Sequence, residues 1–272
     1  MSQSLRFIFS FFSLLFPILN VNAQAGITAS PTKMYYRLSA GQAVIQKVNV
    51  SNPLSTDLEV GVSVGDWDYD TLGTNRLHDP GVLKTSCANW IKVLPGSYFT
   101  LLPKESKELS VELSVPETAD KTIPVRTAML YFTQLNPGDS KSANGAAIKV
   151  SVRMGIKIYH SFTQVDERSI EIIDFVDKRK SKEPNSPGFL ELKIENTGKL
   201  WIDGKIKWEL LNTQTGEKVK MNNGVLLALP GDKRTIKEEL PANLKKGRYA
   251  ATAIVNYGNK DELKIAELEF EY

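Results

Sequence analysis

Apolar and polar positions alternate along most of this chain. From Leu58 to Gly65, every second side chain is apolar, and the residues between are glutamate, serine or glycine. The same period of two runs through residues 108–115, 148–158 and 266–272. Successive side chains of a β-strand point to opposite faces, so these segments predict strands with one buried face.

Turn-forming residues separate the alternating segments at short intervals. Proline, glycine and asparagine cluster between them, as in Asn52-Pro53, Pro137-Gly138 and Pro230. No stretch shows a convincing helical period. Many short strands divided by such turns are typical of a β-sandwich or barrel.

The strands fall into two sets. We predict the first set near residues 27–38, 44–50, 58–67, 90–94, 107–115, 126–135 and 147–160. The second set is predicted near residues 170–176, 189–195, 201–211, 218–221, 234–239, 249–257 and 264–272. Seven strands is the immunoglobulin-like number. We therefore expect an all-β protein with two tandem immunoglobulin-like β-sandwich domains, residues 26–162 and 163–272.

The second set contains a candidate tyrosine corner. In the segment from Leu244 to Tyr249, a glycine and an arginine precede the tyrosine at the start of a predicted strand. In immunoglobulin-like domains, such a tyrosine donates a hydrogen bond back to the backbone a few residues upstream. We expect the Tyr249 hydroxyl to make this bond.

The first 25 residues have the pattern of a secretory signal peptide. Arg6 precedes an apolar stretch, and small residues follow it, with cleavage expected after Ala23 or Ala25. An uncleaved membrane anchor is the alternative, but the apolar stretch falls short of the ~20 residues that span a bilayer. We therefore expect an exported protein located in the periplasm, or else secreted or at the cell surface.

Composition narrows the function further. The formal net charge is +3, and lysine and arginine are scattered among aspartate and glutamate, so we expect no nucleic-acid partner. Cys87 is the one cysteine, which excludes an internal disulfide and leaves each domain dependent on its hydrophobic core. We expect Cys87 to be buried or half-buried; a redox or lipid-attachment site is the alternative.

Catalytic and metal-binding patterns are weak in this sequence. The two histidines, His78 and His160, have no histidine or cysteine nearby, and no nucleophile motif is present. Alternating Asp66, Asp68 and Asp70 suggest a calcium loop, but the glycine and distant glutamate of such loops are missing, so a solvated strand end is favoured. We predict no enzyme activity, no cofactor and no metal site.

Residues 26–160 carry a resemblance to a known family. The segments that carry it are residues 30–36 (SPTKMYY), 90–95 (WIKVLP), 99–103 (FTLLP), 126–132 (RTAMLYF), 148–152 (IKVSV) and 156–159 (IKIY). These segments resemble the PapD-like periplasmic chaperones of pilus assembly, an immunoglobulin-like group. The last strand, in which residues 148–152 run into residues 156–159, is the most specific of them.

The resemblance implies a binding mechanism. In such chaperones, the last strand of the first domain lends alternate apolar side chains to an incomplete pilin subunit and adds a strand to its sheet. That strand-donating face falls on Ile148, Val150 and Val152 here. The basic pair that binds the subunit's C-terminal carboxylate falls on Lys157 and on Lys33, where the family has arginine. Lysine supplies the charge without arginine's two-pronged hydrogen bonding.

The implied partners are exported, pilin-like subunits and an outer-membrane usher.

Two departures from the family pattern bear on the angle between the domains. Thr127 stands where the family has an acidic residue, and Ser161 stands where it has an arginine, and both belong to its buried ionic contact between domains. The second domain looks more like a generic surface module.

Two alternatives stay open at this point. The apolar residues of the last strand could simply fill their own core, and both lysines could be solvated strand ends. The protein would then be a structural or adhesive cell-surface protein with spacer or binding modules. An exposed strand edge could also pair two copies of the chain.

Overall fold

The computed structural model describes residues 26–141, 147–178, 188–259 and 262–272. The predicted signal peptide lies outside the described residues. Among the described residues, no helix is long and apolar enough to cross a membrane.

The N-terminal domain consists of short strands joined by tight turns, with one 3-10 turn at Ala88–Trp90. Among the described residues the strands are β1 (Thr28–Ser30), β2 (Lys33–Arg37), β3 (Ala43–Ser51), β4 (Leu58–Tyr69), β5 (Asn75–His78), β6 (Ile91–Leu94), β7 (Tyr98–Leu101), β8 (Ser106–Ser114), β9 (Val125–Gln134), β10 (Gly138–Lys141), β11 (Ala147–Val150) and β12 (Arg153–Ser161).

Two sheets of this domain face each other across one core. One sheet has the order β1-β3-β8-β6, and the other has the order β2-β12-β9-β4-β5, with β7 also paired to β4. Alternate residues of both sheets are buried between them, which is the sandwich arrangement that the alternation predicts. The core includes Val48, Val50, Leu58, Val60, Leu109, Val111, Leu113, Leu130, Phe132, Ile156 and Ile158.

The first predicted strand, 27–38, is wrong as a single element. It divides at Pro31 into β1, which pairs with β3 in one sheet, and β2, which pairs with β12 in the other. Proline has no N–H for a sheet ladder, so the chain leaves the first sheet there and enters the second. This switch places β2 at the edge of the larger sheet.

The predicted strand 147–160 is also divided. The ladder between β9 and β12 begins at Arg153, whereas β11 pairs with β10 in a separate two-stranded hairpin. At the break, the Ser151 hydroxyl donates a 2.6 Å hydrogen bond to the Gln134 carbonyl. This cross-strand side-chain bond lies where the regular backbone ladder of β12 ends.

The C-terminal domain has the same architecture. Its strands are β13 (Ile170–Lys178), β14 (Phe189–Asn196), β15 (Ile202–Asn212), β16 (Lys218–Val219), β17 (Gly224–Ala228), β18 (Lys233–Glu239), β19 (Arg248–Asn256) and β20 (Lys264–Glu271). One sheet has the order β13-β14-β18, and the other has the order β16-β15-β19-β20, with β17 paired to β15. Residues such as Leu192, Ile206, Leu226, Ala253 and Val255 form its core.

Two sequence predictions are therefore confirmed. The chain is all-β, and it forms two tandem immunoglobulin-like sandwiches. The Tyr249 hydroxyl donates a 2.9 Å hydrogen bond to the Lys245 carbonyl, which is the expected tyrosine corner. The predicted boundary after residue 162 falls between β12 and β13, and its exact position stays a prediction.

An aromatic cluster joins the two domains. Its members come from strands and loops of both, and all are at least nine-tenths buried: Trp67, Tyr69, Val125, Met129, Tyr131 and Tyr159 from the first domain, and Leu200, Trp201 and Leu229 from the second.

Polar contacts to the main chain complete this joint. From β18, Arg234 Nη1 donates to the Asp70 carbonyl at 2.6 Å, and the Thr235 N–H donates to the Thr71 carbonyl at 2.8 Å. Apolar and aromatic packing and hydrogen bonds to main-chain carbonyls therefore both contribute to the joint. At the two positions where the resemblance implies an interdomain ionic contact, Thr127 Oγ1 donates to the Trp67 carbonyl, and Ser161 is buried.

Candidate functional site

Lys33 and Lys157 lie side by side. β2 and β12 pair in parallel, and Lys33 is the register partner of Lys157. Residues directly opposite each other in a sheet point to the same face, so both ammonium groups leave that face toward the second domain. The structure thus brings together the two lysines that the resemblance singled out.

The Lys33 ammonium forms a hydrogen-bonded ion pair with Asp203 Oδ2 of β15. The contact crosses from the first domain to the second. Both side chains keep access to water, with exposed fractions of 31% and 45%. The Tyr35 hydroxyl lies 3.5 Å from the same carboxylate oxygen.

Lys157 occupies a more enclosed place. Its ammonium donates a 2.9 Å hydrogen bond to the Tyr69 hydroxyl and lies 4.3 Å from the centroids of the Trp67 and Tyr69 rings. Burial, and then the neighbouring Lys33 charge, lower the pKa of Lys157 to about 8. Loss of hydration is thus only partly offset by the electron-rich ring faces.

Aromatic rings form one wall of this cleft. Tyr35 stacks between Tyr159 and Trp201, with ring centroids 5.2 and 5.0 Å away. Burial and the Asp203 carboxylate raise the pKa of Tyr35 to about 12. Its hydroxyl therefore stays protonated near neutral pH and remains a hydrogen-bond donor that faces an acceptor.

Arg234 adds a third positive group from the second domain. Its guanidinium carbon lies 4.7 Å from the Tyr69 ring centroid, and its Nη2 lies 2.5 Å from Asp232 Oδ2 in an ion pair. Sequence reasoning missed both Arg234 and Asp203. Each lies on or beside the outward face of a strand. The alternation of that strand predicts which residues fill the core of its own sandwich, but it does not predict which outward residues contact the other domain.

The proposed strand-donating face shows a gradient of burial. Ile156 and Ile158 are fully buried, Val152 is partly buried against the same core, and Val150 has an exposed fraction of 55%. The side chain of Ile148 lies outside the described residues. The alternate apolar side chains are therefore buried in their own sandwich in β12 and become exposed toward the N-terminal end, in β11.

The edge beside this row is open. β2 pairs with residues 157–161 of β12, so among the described residues the part from Arg153 to Ile156 pairs with β9 alone. The Lys157 N–H donates to the Thr32 carbonyl at 3.1 Å, and the covered part of the edge begins there. An unpaired edge is a template for another strand.

The histidines and the alternating aspartates that the sequence singled out lie in separate local contacts. Among the described residues, no group of three or more histidine, cysteine, aspartate or glutamate side chains could hold a metal ion. Asp68 accepts hydrogen bonds from Arg76 and lies 3.2 Å from His78. The solvated strand end is wrong for Asp66, which is fully buried and accepts from the Leu83 N–H and the Ser86 hydroxyl.

Cys87 is buried, as expected from the sequence. Its exposed fraction is 1%, and burial raises the pKa of its thiol. A thiol in this state is a poor nucleophile. His160 is buried as well, and one of its ring nitrogens lies 3.0 Å from the Leu38 carbonyl.

The sequence matches no protein-family model and no curated protein. Its structure is similar to the crystal structure of the YadV chaperone, with a TM-score of 0.50, 10% identity, and coverage of 90% of this chain and 100% of that chain. The Escherichia coli chaperone DraB gives a TM-score of 0.46 at 18% identity, covering 89% of this chain and 96% of its own.

A chain in the structure of the Salmonella enterica SafA pilin with the SafB chaperone is similar too. Its TM-score is 0.46 at 14% identity, and the alignment covers 89% of this chain and 96% of that one. At these identities, what the YadV likeness establishes is a fold. The PapD-like, two-domain fold implied by the sequence is confirmed.

Proposed function

We propose that this protein is a periplasmic chaperone that binds exported, pilin-like subunits by β-strand addition. The bound subunit pairs with the open edge of β11 and β12, and its C-terminal carboxylate is anchored by Lys157 and Lys33. One observation carries the proposal: the unpaired edge ends where the two lysines stand side by side. The YadV-like fold supports it.

The direction of the incoming strand follows from β2. A strand that continues the line of β2 along residues 147–156 and runs parallel to β12 has its C-terminal end at Lys33. Its terminal carboxylate then meets two ammonium groups. A strand of the opposite direction would bring a positively charged N-terminus there and be repelled, so the lysines select the parallel orientation.

The donated side chains supply most of the binding free energy. Each aliphatic side chain that passes from water into a subunit core contributes roughly 1.5–3 kcal/mol. We propose this transfer for Val150, which is exposed, and for Ile148 and Val152. A charge-assisted hydrogen bond from a lysine adds about 1.5–3 kcal/mol. Association entropy removes part of this sum, which leaves a complex that can release its cargo.

The proposal includes the compartment and the partners. The apolar N-terminal segment directs export, and the subunits are exported polypeptides with an incomplete sandwich. An outer-membrane usher would receive them. The open edge also allows two copies of this chain to pair, and we propose that a subunit competes with that pairing.

A peptide titration tests this function. The probe is a fluorescent peptide with alternating valines, long enough to pair with residues 147–156, prepared with a free C-terminal carboxylate and as its amide. We expect tighter binding of the free acid. Lys157→Ala should abolish this preference, and Val150→Asp should weaken both peptides, because a charge replaces a donated side chain.

Lys149→Ala is the matched control, since Lys149 lies on the same strand and its side chain is exposed. Circular dichroism checks that each variant remains folded. Equal binding of acid and amide by the unaltered protein would rule out the carboxylate anchor. Unchanged binding in Val150→Asp would rule out strand donation.

A further inference from the structure

The carboxylate of Asp203 lies against one of the two lysines that we propose as the anchor of a ligand carboxylate. It belongs to the second domain, yet it bonds the Lys33 ammonium of the first domain and faces the Tyr35 hydroxyl. Asp203 points outward from β15, and the residues on either side of it, Ile202 and Gly204, are buried. The Asp203 side chain therefore points away from the core of its own sandwich.

The ion pair is not what holds the domains together. Trp201, two residues before Asp203, already packs against Tyr35 and Tyr159. Arg234 and Thr235 add hydrogen bonds to the first domain at main-chain carbonyls. The Lys33–Asp203 pair is partly exposed, and such pairs contribute little to stability.

We infer that Asp203 is a built-in stand-in for the ligand, which neutralises Lys33 while the site is empty and is exchanged for the C-terminal carboxylate of the bound strand. This inference rests on the proposed function and adds its regulation. Asp203 lowers the affinity for any carboxylate, so weakly paired strands are rejected, and only strands that also fill the open edge displace it.

The exchange is chemically balanced. One carboxylate leaves the Lys33 ammonium and another takes its place, so the number of charge-assisted hydrogen bonds stays the same. The released Asp203 side chain, already 45% exposed, regains water. A ligand carboxylate beside an unmoved Asp203 would instead place two like charges close together, which is unfavourable. The Lys157 ammonium bonds the neutral Tyr69 hydroxyl rather than a carboxylate, so it can bind the ligand carboxylate before the exchange at Lys33.

A double-mutant cycle tests the exchange with the free-acid and amide peptides described above. In Asp203→Asn, we expect the free-acid peptide to bind about two- to fivefold more tightly, the range that partly exposed ion pairs support. In the Lys33→Ala background, the same substitution should change nothing, because no lysine remains to be released. The gain should shrink at high salt.

Asp174→Asn is the control for net charge, since Asp174 forms a comparable exposed pair with Lys193 on the second domain. A gain that persists in Lys33→Ala would show simple repulsion and overturn the exchange. No gain at all would overturn it too. If Lys33→Ala binds too weakly to titrate, the amide peptide decides: an equal gain for acid and amide overturns the inference.

The two proposals fail differently. Without a preference of the unaltered protein for the free acid, the carboxylate anchor itself is wrong. A clear preference that Asp203→Asn leaves unchanged would discard only the stand-in.

Discussion

Lys157 differs from Lys33 in the surroundings of its ammonium group. Lys33 faces a carboxylate, whereas Lys157 faces a phenol and two ring faces. Burial and the nearby charges of Lys33 and Arg234 lower the pKa of Lys157 to about 8, and Asp203 opposes them. The lysine is mostly charged at pH 7 and loses its proton a little above it.

This pKa predicts a pH dependence of binding. We expect the affinity for the free-acid peptide to fall as the pH rises through about 8, because Lys157 becomes neutral. Binding should also take up protons near pH 8, since a bound carboxylate raises the pKa of the lysine again. Calorimetric titrations in two buffers of different ionisation enthalpy measure this uptake, and its absence would contradict the role of Lys157.

Stability should move in the opposite direction. A lysine with a lowered pKa binds fewer protons in the folded state than in the unfolded state between pH 8 and its ordinary value near 10.4. Lys157 therefore contributes increasing stability as the pH rises through that window. Weaker binding at pH 9 would then not be a sign of unfolding.

At the scale of elements, the alternation predicted most strands to within a few residues. It missed β5, β7, β10 and β17, each of five residues or fewer. β17, with the sequence GVLLA, has no apolar–polar alternation because both of its faces are covered: Leu226 and Ala228 lie in the core of the second domain, and Leu227 packs against the cluster between the domains. It also missed the breaks at Pro31 and Ser151, which depend on where a ladder ends.

The tyrosine corner gives a prediction at this scale. Tyr249→Phe removes the hydrogen bond to the Lys245 carbonyl at the start of β19. We expect it to lower the free energy of unfolding by about 0.5–1.5 kcal/mol, the usual net worth of one hydrogen bond. Urea denaturation measures this, with Tyr98→Phe, at an exposed tyrosine, as the control. Equal effects of the two substitutions would contradict the corner's role.

At the scale of the whole molecule, the site belongs to neither domain alone. The resemblance located Lys33 and Lys157, because their segments match a family pattern. The joint between the domains brings three further residues to these lysines: Asp203, Arg234 and Trp201. The apolar–polar period of a strand does not encode which of its outward residues face the neighbouring domain. The fold could thus be predicted from the residues, whereas the charge balance of the site could not.

Trp201 provides the test of that joint. It is buried against Tyr35 and Tyr159 of the other domain. We expect Trp201→Ala to remove much of the coupling between the domains, so that one thermal transition separates into two in calorimetry. Leu211→Ala, at a partly exposed position of β15, the strand that follows Trp201, should leave the transition unchanged. A single, merely shifted transition in Trp201→Ala would contradict coupling through this ring.

The hydrogen bonds from Arg234 and Thr235 end on carbonyls of the Asp70–Thr71 turn rather than on its side chains. Every amino acid offers the same carbonyl, so the identity of residue 71 is nearly irrelevant to the joint. Residue 71 can therefore change over evolutionary time while the pose of the two sandwiches is kept, whereas the Asp70 side chain shapes the turn by accepting from the Leu72 and Thr74 N–H groups. A search for correlated substitutions in related sequences would therefore not detect the contact at residue 71. That contact nevertheless helps to fix where Asp203 meets Lys33.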